Sequence, residues 1–66
     1  MGLKLGGGKM KKGDIVTIKN GTWAGYEGVV THIFYTNFGF IASAYVVLEE
    51  NGYTILCLRE DLETEI

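Results

Sequence analysis

The sequence predicts an all-β fold, a small barrel of four to five strands with a short 3-10 turn before the last one. Three observations carry this. From Asp14 onward the chain is a succession of β-branched and aromatic runs, DIVTIK, VVTHIFYT, AYVVLEE and YTILCL, punctuated by glycine and asparagine. Only REDLETEI has room for a helical turn, and it is too short to stand as an isolated helix. Strands this short and few cannot build a two-layer sandwich, whereas closing one sheet on itself removes most unpaired edges around a single core.

Each element follows from its own residues. Residues 1–9 contain Gly6, Gly7 and Gly8 in a row without period-2 or helical patterning, and read as a flexible leader or tag ahead of a domain at 10–66. A phosphate-cradling glycine loop would need a strand before it and a helix after it, and neither is predicted. DIVTIK alternates, with Val16 and Ile18 on one face and Ile15 and Thr17 on the other. In GTWAGYEGVV, Gly21 follows Asn20 where the chain leaves the first strand, and Gly25 allows a second sharp turn. Gly28 suits close backbone approach or a bulge at a strand entry. A turn is expected at Asn37-Phe38-Gly39. Asn51-Gly52, between two β-rich runs, predicts a type I′ hairpin turn. The 3-10 turn is placed at Arg59 to Leu62 and the closing strand at Glu63 to Ile66.

Composition bounds the function. With 47% hydrophobic and 21% charged residues the chain is too apolar for disorder, and it holds no apolar run near the roughly 20 residues that span a bilayer. That lack of a spanning run argues for no membrane, and the single Cys57, which cannot form an intrachain disulfide, points to a reducing cytoplasm. From Met10 onward four basic residues (Lys11, Lys12, Lys19, Arg59) face eight acidic ones, a net of −4. Phosphate backbones draw affinity from Lys and Arg, so RNA is a disfavoured partner.

The segment from Gly13 reads G-D-x-V-x-I, then Gly21, Gly25, Gly28, Val30 and Ile33. This resembles a KOW motif, as in NusG-type transcription factors and several ribosomal proteins, closely over Lys12 to about Ile33 and loosely to DLETEI. The resemblance implies an SH3-like barrel that binds protein or RNA in transcription or translation complexes. GTWAG, VVTHIFYTNFG and DLETEI are also similar to type II dihydrofolate reductases, homotetrameric barrels with a central pore. Where those enzymes carry a Val-Gln-Ile-Tyr strand, this chain has Tyr53-Thr54-Ile55-Leu56. That second resemblance implies self-assembly more than its activity. A weaker similarity to small barrel subunits of photosynthetic complexes also implies an accessory role.

The sequence therefore reads as a non-enzymatic module that binds a protein partner or a second copy of itself, with RNA or ribosome binding as the alternative and, from the second resemblance, an oligomeric type II dihydrofolate reductase-like enzyme as a second alternative. No cofactor or metal is expected. Lys19, Trp23, Tyr26, Tyr35 and Phe38 are the candidate partner-binding residues. Trp23 and Tyr26 sit in the loop near Lys19, with Lys11 and Lys12 expected across the same barrel end, where aromatic and basic groups would stack on a base or grip a peptide. Equally, Trp23 would plug the end of a small core. Phe34, Tyr35, Phe38, Phe40, Ile41 and Tyr45 crowd the second and third strands, more apolar surface than one barrel interior holds, so part of it faces outward. His32, alone in its strand, reads as a surface or packing residue. Cys57 reads as a small buried hydrophobe, and the clustered carboxylates as solvated charge.

Overall fold

The computed structural model describes residues 10–64. The reading of residues 1–9 as a leader or tag, and the last two positions of the expected closing strand, lie outside the described residues. Five strands form: β1 (Ile15–Ile18), β2 (Glu27–Tyr35), β3 (Ile41–Leu48), β4 (Thr54–Leu58) and β5 (Leu62–Thr64), with a 3-10 turn at Arg59–Asp61 before β5. They make one sheet in the order β4-β3-β2-β1-β5, every neighbouring pair antiparallel. The two edge strands are consecutive in the chain and separated by only the three residues of the 3-10 turn. So short a link joins the edges only if the sheet coils round on itself, which makes the small barrel.

Alternation decides what lies inside. Val16 and Ile18 from β1, Val30 from β2, Ala44, Val46 and Leu48 from β3, Cys57 from β4 and Leu62 from β5 form the buried core, closed by Met10. In β1 the division is as the alternation predicts, with Val16 and Ile18 buried and Ile15 exposed.

β2 departs from simple alternation. Val30 pairs with Val46 and His32 pairs with Tyr45, so Thr31 is an extra residue opposite one step of β3. A bulge of this kind resets which face each following side chain takes. Without it His32 and Phe34 would point into the core and Ile33 out. With it Ile33 packs on the core while His32 and Phe34 are exposed.

Gly28 is also on β2, paired with Leu48, and the reason for glycine there is space. A Cβ would stand 2.5 Å from Cγ1 of Val46 and 2.6 Å from the carbonyl oxygen of Val47. Gly21 and Gly25 differ, each taking φ of 92° in open space to turn the loop between β1 and β2.

The β2–β3 hairpin turns where expected. The Gly39 N–H donates to the Thr36 carbonyl at 3.0 Å and the Thr36 N–H to the Phe40 carbonyl at 2.7 Å, with Gly39 at φ 90°. This is a type I turn followed by a left-handed residue, a common three-residue hairpin loop. The β3–β4 hairpin corrects its expectation. The Leu48 N–H donates to the Tyr53 carbonyl at 2.8 Å, and the Gly52 N–H donates to the Leu48 carbonyl at 2.8 Å. The loop is therefore four residues, Glu49 to Gly52, and not a two-residue type I′ turn. The Asn51 side chain accepts the Tyr53 N–H at 2.9 Å, a local bond that favours the longer loop.

Candidate functional site

The outward side of β2, β3 and β4 carries a continuous apolar face. Strand register lines up His32, Tyr45 and Leu56 in one row and Phe34, Ser43 and Leu58 in the next. The rings touch within the rows and between them. Phe34 meets His32 at 4.6 Å and Tyr45 at 5.2 Å between centroids, both edge-to-face. Leu56 and Leu58 are 60% and 53% exposed, so the face continues to the sheet edge without a charged side chain in either row. Exposing large apolar groups together, rather than singly, is what distinguishes an interaction surface from ordinary surface scatter.

The five residues anticipated from sequence fall at two separate places. Trp23 and Tyr26 lie in the loop between β1 and β2, half-buried and packed against the core. Trp23 stands edge-to-face to Tyr26 at 5.2 Å and to Tyr53 at 5.7 Å, so its ring is held by the barrel end. Lys19 is exposed at the base of that loop, its N–H donating to the Asp61 carbonyl at 2.8 Å. Tyr35 and Phe38 are at the tip of the β2–β3 hairpin, and Phe38 is 87% exposed. Hydrogen bonds from the Phe38 and Phe40 N–H groups to the Thr36 hydroxyl, 3.2 Å each, shape the tip that presents the ring.

The basic residues are not gathered around Trp23. The groove beside Tyr26 is lined by Ala24, Gly25, Glu27, Glu49 and Glu50, an acidic setting. Lys11 and Lys12 line a different groove, with His32, Ile33 and Tyr35. Lys11 also faces Asp14, at 3.7 Å between Nζ and the carboxylate.

Of the outward face, Phe34 and Tyr45 are named from sequence, and YTILCL reads there as apolar on both faces without Leu56 and Leu58 being singled out. The signal was present in Thr54-Ile55-Leu56-Cys57-Leu58, whose apolar residues occupy both parities of a strand that has only one inside.

Cys57 is buried on the inner side of β4 and unpaired in any disulfide. Burial pushes its thiol above the ordinary value of 9.0, and the negative charge of Asp61 pushes it the same way. The folded state thus favours the neutral thiol. That contribution to stability is present below the ordinary pKa and is lost as pH rises through the raised one. Iodoacetamide at pH 8 is expected to modify Cys57 at least tenfold more slowly in the native chain than in urea, read by mass spectrometry. Equal rates would mean the thiol is not held in the core.

Among the described residues no group of three or more His, Cys, Asp or Glu side chains is placed to hold a metal, and no helix is long and apolar enough to cross a membrane. No protein-family model matches the sequence, and no curated protein matches it.

Proposed function

We propose that this chain is a non-enzymatic protein-binding module of the cytoplasm, an SH3-like barrel of KOW type that docks through the outer face of β2, β3 and β4. The observation that carries this reading is the pair of rows His32–Tyr45–Leu56 and Phe34–Ser43–Leu58, which puts three exposed rings and two exposed leucines side by side. Uncharged, aromatic-rich patches are the composition of buried interface cores, where aromatic residues are enriched and Lys and Glu depleted. The exposed tip residues Tyr35 and Phe38 extend the same apolar character along the β2–β3 hairpin. Trp23 and Tyr26 act in this reading as supports of the barrel end, because their rings pack on the core.

RNA is the weaker reading. It would use Lys11, Lys12 and the neighbouring His32 and Tyr35, and the net acidity of the chain from Met10 onward opposes it.

The test is a photo-crosslinking side chain at position 58 of the full chain in its native cells. Cross-links to protein that disappear in a Phe34→Ser background are expected. Cross-links to RNA alone, or protein cross-links indifferent to Phe34, would sink the reading. Phe34 is 37% exposed and stands edge-to-face to His32 and Tyr45, so that substitution is expected to cost the fold about 1–2 kcal/mol, and circular dichroism of the variant checks that it remains folded.

A further inference from the structure

The docking face runs up to an unprotected sheet edge, and the two edges of this sheet are treated differently. Among the described residues β5 spans Leu62–Thr64 and carries Glu63, a charge of the kind that edges commonly bear. β4 is five residues, Thr54–Leu58, with no charge and no proline, and its register with β3 is unbroken. It thus carries no charge, proline or bulge of the kind that keeps an edge from pairing.

The direction of its backbone groups follows from the hairpin. Leu48 and Tyr53 are a hydrogen-bonded pair, with the Leu48 N–H on the Tyr53 carbonyl at 2.8 Å. Hydrogen-bonded and non-bonded pairs alternate along an antiparallel ladder. Val46/Ile55 and Ala44/Cys57 are then the bonded pairs of the observed register. The N–H and C=O groups of Thr54, Leu56 and Leu58 point away from β3, and the same three residues have their side chains exposed on the outer face.

Charge selects the occupant. Glu49 and Glu50 precede β4, and Glu60 and Asp61 follow it with Arg59 as the one cation between. Both ends of the edge are net negative. An antiparallel second copy would lay the Glu49–Glu50 end of one chain against the Glu60–Asp61 end of the other, like charge against like. An extended strand with basic ends meets opposite charge instead. Resting on the protein-binding reading above, we infer that β4 is a strand-addition site for an extended segment of another protein, apolar at alternate positions and flanked by Lys or Arg. Main-chain bonds to Leu56 and its neighbours supply affinity, and the partner's outward apolar side chains extend the Tyr45–Leu56 and Phe34–Leu58 surface.

The probe is a fluorescein-labelled peptide in which valine alternates with threonine between paired lysines, titrated into the full chain, with amide shifts followed in an ¹⁵N-labelled sample. Saturable binding is expected, with shifts centred on Thr54, Leu56 and Leu58. Glutamate in place of the lysines is expected to weaken it. Leu56→Pro removes an N–H that points out from the edge while keeping the ladder to β3. It is expected to weaken binding about tenfold, the scale of one lost hydrogen bond in a shielded contact. A comparable loss is expected from a peptide N-methylated at the amide that donates to the Leu56 carbonyl, the reciprocal bond of the same pair, which tests strand addition on the unaltered protein should Leu56→Pro not fold. The inference is overturned by no binding at millimolar peptide, by shifts confined to the Trp23 loop or the Lys11–Lys12 groove, by indifference to N-methylation, or by a dimer whose β4 edge is already occupied. If those outcomes accompany Phe34-dependent protein cross-links at position 58, the docking face stands and only strand addition falls.

Discussion

Gly28→Ala is expected to remove about 3 kcal/mol of folding stability, the upper part of the range for overpacking a well-filled site. The added methyl would meet both Cγ1 of Val46 and the carbonyl oxygen of Val47, at 2.5 and 2.6 Å. A valine rotamer yields cheaply, but a backbone carbonyl bound into the sheet does not. Relief would require β2 and β3 to separate where Gly28 pairs with Leu48, itself fully buried. A domain of this size has roughly 3–5 kcal/mol in total, so about 0–2 kcal/mol should remain and a few per cent to half of the population should be unfolded at 25 °C. Urea denaturation followed by far-UV circular dichroism measures it. Gly21→Ala is the internal control, since its site is open and only the φ of 92° is strained. That variant should lose about 1 kcal/mol. A Gly28→Ala variant no less stable than Gly21→Ala would refute the close approach of β2 and β3.

Trp23→Ala is expected to cost about 2 kcal/mol, less than for a fully buried indole because Trp23 is half-exposed. The loss has two sources, the area packed on the core and the two edge-to-face contacts with Tyr26 and Tyr53. Trp23→Phe should recover at least half, since a phenyl ring keeps part of both. Trp23 is the sole tryptophan, so the variants are followed by circular dichroism, and the intrinsic fluorescence of the parent reports the native barrel end. A loss under about 0.5 kcal/mol, the size of an ordinary surface change, would return Trp23 to the partner-binding residues.

The two variants also separate what was legible in the sequence from what was not. The all-β class, the strands, the 3-10 turn and the inward set of β1 follow from local patterning, because strand alternation and turn chemistry act over a few residues. Gly28 was recognisable as a place where backbones come close, yet Val46 and Val47, the groups it accommodates, lie some twenty residues away in the chain. The hairpin loop at Glu49 to Gly52 was legible as a turn but not in its length, which depends on where Leu48 and Tyr53 meet. The two chemical roles offered for Trp23, core plug and docking group, were equal on sequence. Its contacts with the core and with Tyr53 favour the plug.

Composition and period-2 patterning by themselves determined that this protein is a small β domain with more apolar strand surface than one interior accepts. The tertiary structure decided which of that surface is exposed. In Val29-Val30-Thr31-His32-Ile33-Phe34 every face assignment after Val30 depends on whether Thr31 is an extra residue, and a bulge is a property of the pairing between β2 and β3. Likewise Leu56 and Leu58 became part of a face only once register set them beside Tyr45 and Ser43, and β4 became an edge only once the strand order left its far side unpaired. Side-chain alternation is encoded within a strand, whereas register, bulges and edges arise from contacts between residues distant in sequence.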